Sequence, residues 1–281
     1  MRIVFSRKGF DSGTGGVPSP ILDGQLVWLP IPSRSEPIAY EDLSFKHHSL
    51  GKIVEDLTHR RMRRNRSVHL DPDLRHDACR RGRGWRPLFG QAGAEETHLR
   101  THGVTVGDLF LFFGWFREAE LHCGKYRYVQ SAPDLHVIFG WLQVGCVISL
   151  PDSKFVQMPW ADYHPHVRGS YGTIFVAGDN LKMGRQSYDI PGGGYFADYH
   201  DSLRLTAPGG SGRSVWQLPR WFYPKGNRSP LTYHPDRSLF RAKGNHTILR
   251  SVARGQEFIL NVELYPEAFL WVRRLITTNA S

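Results

Sequence analysis

Cysteine is scarce in this sequence, and its spacing excludes two common kinds of stabilised fold. The 281 residues contain three cysteines, Cys79, Cys123 and Cys146, and no CxxC pair. An odd number of widely spaced cysteines supports neither a disulfide framework nor a zinc-binding spacing. We therefore expect a protein of the reducing cytoplasm.

Long apolar segments are missing as well. No run of the sequence approaches the roughly 18 apolar residues that a membrane-spanning helix requires. The first residues also lack the apolar stretch of a secretory signal. We expect no membrane partner and a cytoplasmic location.

Aromatic and turn-forming residues are plentiful by contrast. Aromatic side chains make up 12% of the chain, which also holds 29 glycines and 18 prolines. This composition is typical of a loop-rich protein dominated by β-strands rather than of a helical bundle. A chain of this length also buries a substantial core.

Local patterns predict tight turns, strands and a few helices. Asp23-Gly24 between two apolar runs predicts a β-hairpin. Apolar spacing after Ser49 predicts a helix with Ser49 as its N-cap, and a second helix is expected to end at Gly103. Strands are expected in "DLFLFFGWFREAEL" and "LHVIFGWLQVGCVISL", and a helix close to the last residues.

These elements define the expected architecture. We predict an α+β fold in a single domain over residues 1–281, with a β-rich core and short helices. The sequence pattern changes after Pro151: short predicted β segments are interrupted by glycine, proline and aromatic clusters. A softer subdivision is therefore expected near residue 151.

Positive charge is concentrated in one part of the chain. Lysine and arginine number 36 against 26 aspartates and glutamates, which gives a formal net charge of +10. From Arg60 to Arg86 arginine greatly outnumbers lysine, and guanidinium groups bind phosphate oxygens two at a time. We interpret this segment as a contact for a phosphate backbone or a nucleotide. The alternative is a solvated basic segment.

The first predicted strand runs directly into a cluster of charge. Val4 and Phe5 suit a buried strand, whereas "SRKGFDSGTGG" brings two cations, Arg7 and Lys8, and the carboxylate of Asp11 beside glycine-rich backbone. This pattern favours a site that faces an anion at the end of a strand. A solvated turn is the alternative.

A histidine and two aspartates alternate in the segment "VHLDPDL". On an extended segment His69, Asp71 and Asp73 face the same side. Nearby carboxylates raise each other's proton affinity, and a neighbouring imidazole exchanges protons with them, so the trio suits general acid–base catalysis. A structural trio paired with the surrounding arginines is the alternative.

The same trio offers ligands for a metal ion. It suits a hard cation, or an H-x-D pair and a distant histidine suit the triad of a non-haem iron site. The third ligand would come from a set of scattered histidines: His98, His136, His164, His166 and His234. Because the chain has fourteen histidines, chance satisfies this pattern easily, and we assign no metal-binding residue from the sequence.

Tryptophans recur beside basic or amide side chains. Trp115 lies two residues before Arg117, and Trp141 lies two residues before Gln143. A flipped or single-stranded base stacks on an aromatic face while such groups contact its edge. Core packing is the alternative for each tryptophan.

Several longer motifs resemble those of one family. "SRKGFDSGTGGVPSPI", "HLDPDL", "GWRPLFGQ", "GDLFLFFGWFR", "LHVIFGWLQVG" and "RGQEF" are similar to motifs of the third of the bacterial and phage families called nucleotide modification associated domains. The resemblance extends over essentially the whole chain and is less clear after Pro151. It implies a setting in which DNA bases or nucleotides are modified, and it defines neither the reaction nor a cofactor.

The matched positions and their chemistry together give the candidate site residues. Acid–base or substrate-positioning roles fall to Asp11, His69, Asp71 and Asp73. The expected ligand or phosphate contacts are Ser6, Arg7, Lys8, Gln91, His98, Arg117 and Gln143. The candidates for base stacking are Trp115 and Trp141. We call residues 6–11 the charged bend and residues 69–73 the histidine–aspartate strip, and we expect both to line the same pocket.

Three functions stay open on this basis: an enzyme, a reader, and a generic basic protein that binds any DNA in a salt-dependent way, with the trio and the opening loop only structural. An enzyme would act on a nucleotide or a DNA base in a base-modification or phage-conflict system, and a reader would bind a modified base or nucleotide without catalysis. The order of elements is also similar to that of small barrels of the pseudouridine-synthase-and-archaeosine-transglycosylase (PUA) type. A PUA-like barrel element is therefore one expected form of the core, although fold alone does not fix function.

Overall fold

The computed structural model describes residues 1–151, 158–226 and 229–280. Within these ranges the chain forms four α-helices: α1 (Leu50–Leu57), α2 (Gly93–Thr101), α3 (Pro165–Gly169) and α4 (Glu267–Asn279). Short 3₁₀ turns lie at Tyr40–Asp42, Pro159–Ala161, Asp201–Leu203, Arg220–Phe222 and Arg237–Leu239. No helix in the described ranges is long and apolar enough to cross a membrane.

Strands make up most of the regular structure. They are β1 (Arg2–Arg7), β2 (Ser19–Leu22), β3 (Gln25–Leu26), β4 (Ile31–Pro32), β5 (Ser44–Phe45), β6 (His48–Ser49), β7 (Val68–His69), β8 (Leu88–Gln91), β9 (Leu109–His122), β10 (Lys125–Tyr128), β11 (Leu135–Ser149), β12 (Thr173–Ala177), β13 (Asn180–Met183), β14 (Gln186–Pro191), β15 (Gly193–Tyr195), β16 (Val215–Pro219), β17 (Phe240–Lys243), β18 (His246–Arg250) and β19 (Glu257–Asn261).

One large sheet organises the molecule. Its strands follow the order β19-β1-β9-β11-β12-β8, with β2 and β10 attached to β9 and β15 attached to β11. β1 and β2 each run parallel to β9, and the other pairs along the path are antiparallel. The expected mixed fold with a strand-rich core and few helices is confirmed.

The PUA-like barrel element is not confirmed. The path of the main sheet begins at β19 and ends at β8, and these two edge strands do not pair with each other. The sheet of the described residues therefore stays open, whereas a barrel requires its first and last strands to join. No closed barrel is found in these ranges.

The local predictions from sequence hold at several elements. Asp23 and Gly24 have φ angles of 50° and 77°, as a tight hairpin between β2 and β3 requires. The hydroxyl of Ser49 caps α1 by accepting from the backbone N–H of Lys52. Gly103, with φ 66°, follows the end of α2.

A continuous hydrophobic cluster joins the two ends of the chain. Val4 and Phe5 in β1 are fully buried, as are Val272 and Ile276 in α4. The ring of Phe5 stacks against Trp271 of α4 with centroids 5.9 Å apart. Because both faces of β1 are covered, its sequence is a continuous apolar run rather than an alternating one.

The carboxyl end of β1 lies where several elements meet. Ser6 pairs with Glu257 at the start of β19, and Arg7 pairs with Phe113 in β9. In β7, His69 lies opposite Ile31 of β4. The sheet and this small two-stranded ribbon thus enclose the end of β1.

Candidate functional site

A small polar cavity of about 180 Å³ opens at the carboxyl end of β1. Its walls are rich in charged and imidazole side chains. The lining residues are Arg7, Lys8, Gly9, Asp11, Thr14, Ile31, His69, Asp71, Gln91, His166 and Gln256. Six candidate site residues therefore lie around one cavity, and the charged bend and part of the histidine–aspartate strip face each other across it.

A buried carboxylate anchors one wall of the cavity. Glu257 is fully buried, and its Oε1 accepts from the ammonium of Lys8 at 2.9 Å and from Nε2 of Gln91 at 2.7 Å. The hydroxyl of Ser6, also fully buried, donates to the same oxygen at 3.1 Å. Ser6 thus lies behind the cavity wall, where it helps to fix the carboxylate that holds Lys8.

Arg7 is held by backbone carbonyls. Its Nη2 donates to the carbonyl oxygens of Ala253 at 2.6 Å and Gly255 at 2.7 Å. Its Nε and Nη1 make no hydrogen bond within the described ranges. Burial lowers the pKa of Arg7, and the negative charge of Asp11 opposes that effect. The N–H groups of Nε and Nη1 on this fixed guanidinium therefore stay available to a ligand.

Asp11 organises the loop that follows Arg7 and Lys8. Its Oδ1 accepts from the backbone N–H groups of Gly13 at 2.8 Å and Thr14 at 2.6 Å. An aspartate that binds the backbone two and three residues later closes a tight local turn. The carboxylate of Asp11 therefore shapes this wall of the cavity as well as lining it.

Asp71 lies among three histidines on the opposite wall. Its Oδ2 is 3.8 Å from Nε2 of His69 and 3.7 Å from Nε2 of His166, and its Oδ1 is 3.3 Å from Nε2 of His164. The backbone N–H of Gly90 in β8 donates to Oδ1 at 2.9 Å. The carboxylate is thus fixed through one oxygen and presents the other to two imidazoles.

The protonation states of this cluster follow from burial and mutual charge. Burial lowers the pKa of His69 to about 4, and the nearby carboxylate of Asp71 offsets only part of that effect. Burial by itself raises the pKa of Asp71, but the contact with His164 and the charges of the surrounding imidazoles bring it down to about 2. At neutral pH the ionised carboxylate of Asp71 therefore lies beside the neutral imidazole of His69, a combination suited to proton transfer or to metal binding.

Asp73 is turned away from this cavity. Its carboxylate is paired with Arg81, accepts from the hydroxyl of Tyr163, and lies 3.3 Å from Nε1 of Trp85. The backbone N–H of Asp71 donates to the carbonyl of His69, so the strip bends where an extended segment was expected. The side chains of His69 and Asp71 therefore face the same cavity, as expected, whereas that of Asp73 does not.

Three expected ligand contacts also lie elsewhere. His98 on α2 contacts Thr232 through Nε2 at 3.1 Å and lines a separate cavity of about 540 Å³. Arg117 in β9 donates to the carbonyls of Val129 and Gln130, which directly follow β10. Gln143 is buried; its Nε2 donates to the carbonyl of Lys182, and its Oε1 accepts from the backbone N–H of Lys182. None of the three lines the cavity at the end of β1.

Neither tryptophan proposed for base stacking lines this cavity. Trp141 is buried, packs on Phe196 with centroids 4.9 Å apart, and donates to the carbonyl of Pro191. The guanidinium of Arg213 lies 4.1 Å from the ring centroid of Trp115. Contacts within the protein thus already use these aromatic surfaces.

The arginine segment divides between surface and core. Its first part is exposed after α1: Arg60, Arg61, Arg63, Arg64 and Arg66. Arg75, by contrast, is buried, with its guanidinium 4.4 Å from the ring centroid of Phe45. A basic surface therefore leads into the strip that carries His69, whereas the later arginines are partly structural.

Two residues that complete the site are not singled out by the sequence. His166, the second residue of α3, is one of several histidines that no sequence signal selects. Glu257 lies in the quoted motif "RGQEF", but no spacing connected it to Lys8. Pairing of β19 with β1 brings Glu257 to the end of β1, and packing of α3 on β8 brings His166 there.

The fold and the site define an α+β protein with an open sheet and a charged cavity. Comparison of the sequence with protein-family models identifies its family. The chain belongs to the family described as nucleotide modification associated domain 3, whose family model matches residues 2–261. The family resemblance seen in the motifs is thereby confirmed, and the domain's description links the protein to nucleotide modification. Searches of curated proteins and of solved structures find no match to the chain.

Proposed function

We propose that the protein is an enzyme that acts on a nucleotide or a DNA base, with the reaction in the cavity at the end of β1. The observation that carries this proposal is that Arg7 and Lys8 line the same cavity as His69 and Asp71. Cations that hold a phosphate and a histidine–carboxylate pair that moves a proton are complementary parts of one active site.

The size of the cavity limits which part of the substrate enters it. About 180 Å³ is less than the roughly 300–1,000 Å³ of typical ligand pockets. The cavity therefore takes the reacting group, and the rest of the nucleotide or DNA lies outside on the surface. The exposed arginines from Arg60 to Arg66 supply suitable contacts for a phosphate backbone.

Mass spectrometry of nucleosides tests the proposal directly. Single-stranded DNA, double-stranded DNA and the four deoxynucleoside monophosphates are incubated with wild type, Asp71→Asn and the matched control Asp179→Asn, with and without divalent cations. Asp179 is a suitable control because its side chain is 90% exposed in a surface ion pair. A new nucleoside is expected with wild type and the control, and not with Asp71→Asn.

Binding measurements separate the enzyme from a reader. Arg7→Met is expected to weaken nucleotide binding about 10-fold by removing a charge-assisted contact, whereas Arg127→Met, in an exposed pair with Glu120, leaves it unchanged. If wild type binds DNA or nucleotides through Arg7 but yields no new nucleoside under any condition, the enzyme proposal is overturned in favour of a reader.

A further inference from the structure

Three side chains at the cavity wall present their ligand atoms to a common point. One donor atom each from His69, Asp71 and His166 lies within 4.8 Å of the other two. Two of these separations, 3.7 and 3.8 Å from Oδ2 of Asp71 to the imidazole Nε2 atoms, are too long for hydrogen bonds. Ligand atoms that share a tetrahedral ion at about 2.1 Å lie roughly 3.4 Å apart, which is close to this spacing.

The hydrogen bond of His166 selects its metal-binding tautomer. Its Nδ1 lies 3.4 Å from the carbonyl oxygen of Tyr171, which only accepts, so the proton belongs on Nδ1. Nε2 then carries a lone pair and lies 3.7 Å from Oδ2 of Asp71, which also offers only electron pairs. Metal-bound histidines usually have this arrangement, in which the second nitrogen donates to a backbone carbonyl.

A buried histidine supports the carboxylate from behind. His164 is fully buried, and neither of its ring nitrogens makes a hydrogen bond within the described ranges. Its Nε2 lies 3.3 Å from Oδ1 of Asp71, the oxygen that also accepts from Gly90. His164 and Gly90 thus lie at one oxygen of Asp71 and leave Oδ2 for the two other imidazoles.

The charge balance of the cavity also calls for a cation. Among the lining residues the positive side chains of Arg7 and Lys8 are matched in number by the carboxylates of Asp11 and Asp71. Lys8 is further neutralised by Glu257 behind it. A divalent cation beside Asp71 would give the cavity the positive charge that an anionic substrate requires.

We propose that Oδ2 of Asp71, Nε2 of His69 and Nε2 of His166 bind one divalent cation of the first transition series. Two imidazoles and one carboxylate suit iron, cobalt, zinc or a similar ion, whereas magnesium and calcium prefer oxygen ligands. Three protein ligands leave coordination positions open towards the cavity for water or substrate. His164 is a positioning residue that acts through Asp71. The inference deepens the proposed function, and it rests on that function only for the role of the metal in the reaction.

Cobalt(II) is the probe for this site because its visible absorption reports on its ligands. The metal-free full-length chain is titrated with cobalt(II), and zinc(II) and magnesium(II) are then added in competition. One cobalt(II) ion per chain with visible d–d bands is expected, displaced by zinc(II) and not by magnesium(II). Absence of stoichiometric cobalt(II) and zinc(II) binding by the folded wild type overturns the proposal.

Ligand variants locate the ion. His69→Gln and His166→Gln are each expected to weaken cobalt(II) binding by more than the roughly 10–100-fold loss that follows removal of an outer-shell partner. The matched control is the double variant His98→Gln/His102→Gln, which removes another histidine pair, with ring centroids 4.2 Å apart. Circular dichroism checks that every variant is folded. Binding that survives in both ligand variants and is lost in the control overturns the assignment.

His164→Gln tests the positioning role separately. We expect cobalt(II) binding about 10–100-fold weaker than in wild type, with a shifted d–d spectrum because the carboxylate changes its orientation. An unchanged spectrum and affinity would remove His164 from the site.

The inference and the proposed function fail in different ways. Stoichiometric metal binding without any new nucleoside supports the metal site and removes the enzymatic role. A new nucleoside that still forms after complete removal of metal supports the enzyme and removes the metal from the reaction, whereas the metal site itself is decided by the cobalt(II) titration.

Discussion

The ring of His166 lies directly over Gly90, at the place where any other residue would carry its Cβ. A Cβ built on Gly90 would be 2.4 Å from Cδ2 and 2.6 Å from Cγ of His166. Contacts shorter than 3.0 Å between such atoms do not occur without movement. Because the N–H of the same glycine binds Asp71, this position sets the distance between the histidine and the carboxylate.

Gly90→Ala is therefore expected to push His166 away from Asp71. We expect cobalt(II) binding to weaken at least about 10-fold, as for the loss of a positioning contact, together with a lower melting temperature. Gly212→Ala is the matched control, since nothing lies within 4 Å of a Cβ at Gly212. If Gly90→Ala binds the ion as tightly as Gly212→Ala, His166 is not held by this contact.

The ion pair between Lys8 and Glu257 gives a prediction for stability. The two side chains are only 10% and 0% exposed, so Glu257→Gln leaves a largely buried ammonium without its counter-charge. Breaking a buried pair typically costs about 3–5 kcal/mol, and urea unfolding is expected to show a loss at the lower end of this range. The double variant Lys8→Met/Glu257→Gln should recover most of the loss. If the double variant is as unstable as Glu257→Gln, the unpaired ammonium of Lys8 does not cause the loss of stability.

Asp73 is expected to stabilise the fold instead of taking part in the reaction. The side chains of Asp73 and its partner Arg81 are both 1% exposed; Nη2 of Arg81 makes the pair, and its Nε and Nη1 have no hydrogen-bond partner in the described ranges. Asp73→Asn should therefore lower the free energy of unfolding by about 3 kcal/mol. The surface control Asp179→Asn should change it by less than about 0.5 kcal/mol. Full stability of Asp73→Asn in urea would contradict this role.

His136 gives a prediction for the pH dependence of stability. Burial, helped by the positive charges of Arg213 and Arg7, lowers the pKa of His136 to about 3, and Nδ1 accepts from Nε1 of the fully buried Trp216. The unfolded chain, with a histidine pKa near 6.5, binds more protons than the folded one between these values. The contribution is therefore present above about pH 6.5 and is lost as the pH falls towards 3.

Between pH 7.5 and pH 5 the loss from this one group is about 2 kcal/mol. His136→Gln keeps an acceptor for Trp216 and removes the titration. The stability of the variant should fall by about 2 kcal/mol less than that of wild type over the same interval. Parallel curves for the two proteins in urea unfolding would contradict the prediction.

Local sequence patterns are sufficient for individual elements and for part of the site. Asp23-Gly24 and Ser49 predict their turn and helix cap because those conformations depend on neighbouring residues alone. Residue chemistry and family resemblance predict the charged bend at Arg7 and the strip at His69 and Asp71 as parts of a site. The structure places these groups around one cavity.

The rest of the site depends on long-range contacts that periodicity does not encode. His166 reaches Asp71 because α3 packs on β8, which no pattern near "YHPH" indicates. The alternation of His69, Asp71 and Asp73 predicts one common side only for an extended chain, and the hydrogen bond from Asp71 to His69 bends it. Trp141 lies beside a polar residue in sequence, yet its ring packs in the core.

Lys8 and Glu257, whose pairing forms one wall of the cavity, are 249 positions apart in the chain. At roughly 5–20 residues per second, a ribosome needs about 12–50 s after making Lys8 before it adds the matching carboxylate. The cavity is thus among the last parts of the protein to be assembled during translation. A polypeptide released early, before Glu257 is added, would lack this wall however well its first strands had folded.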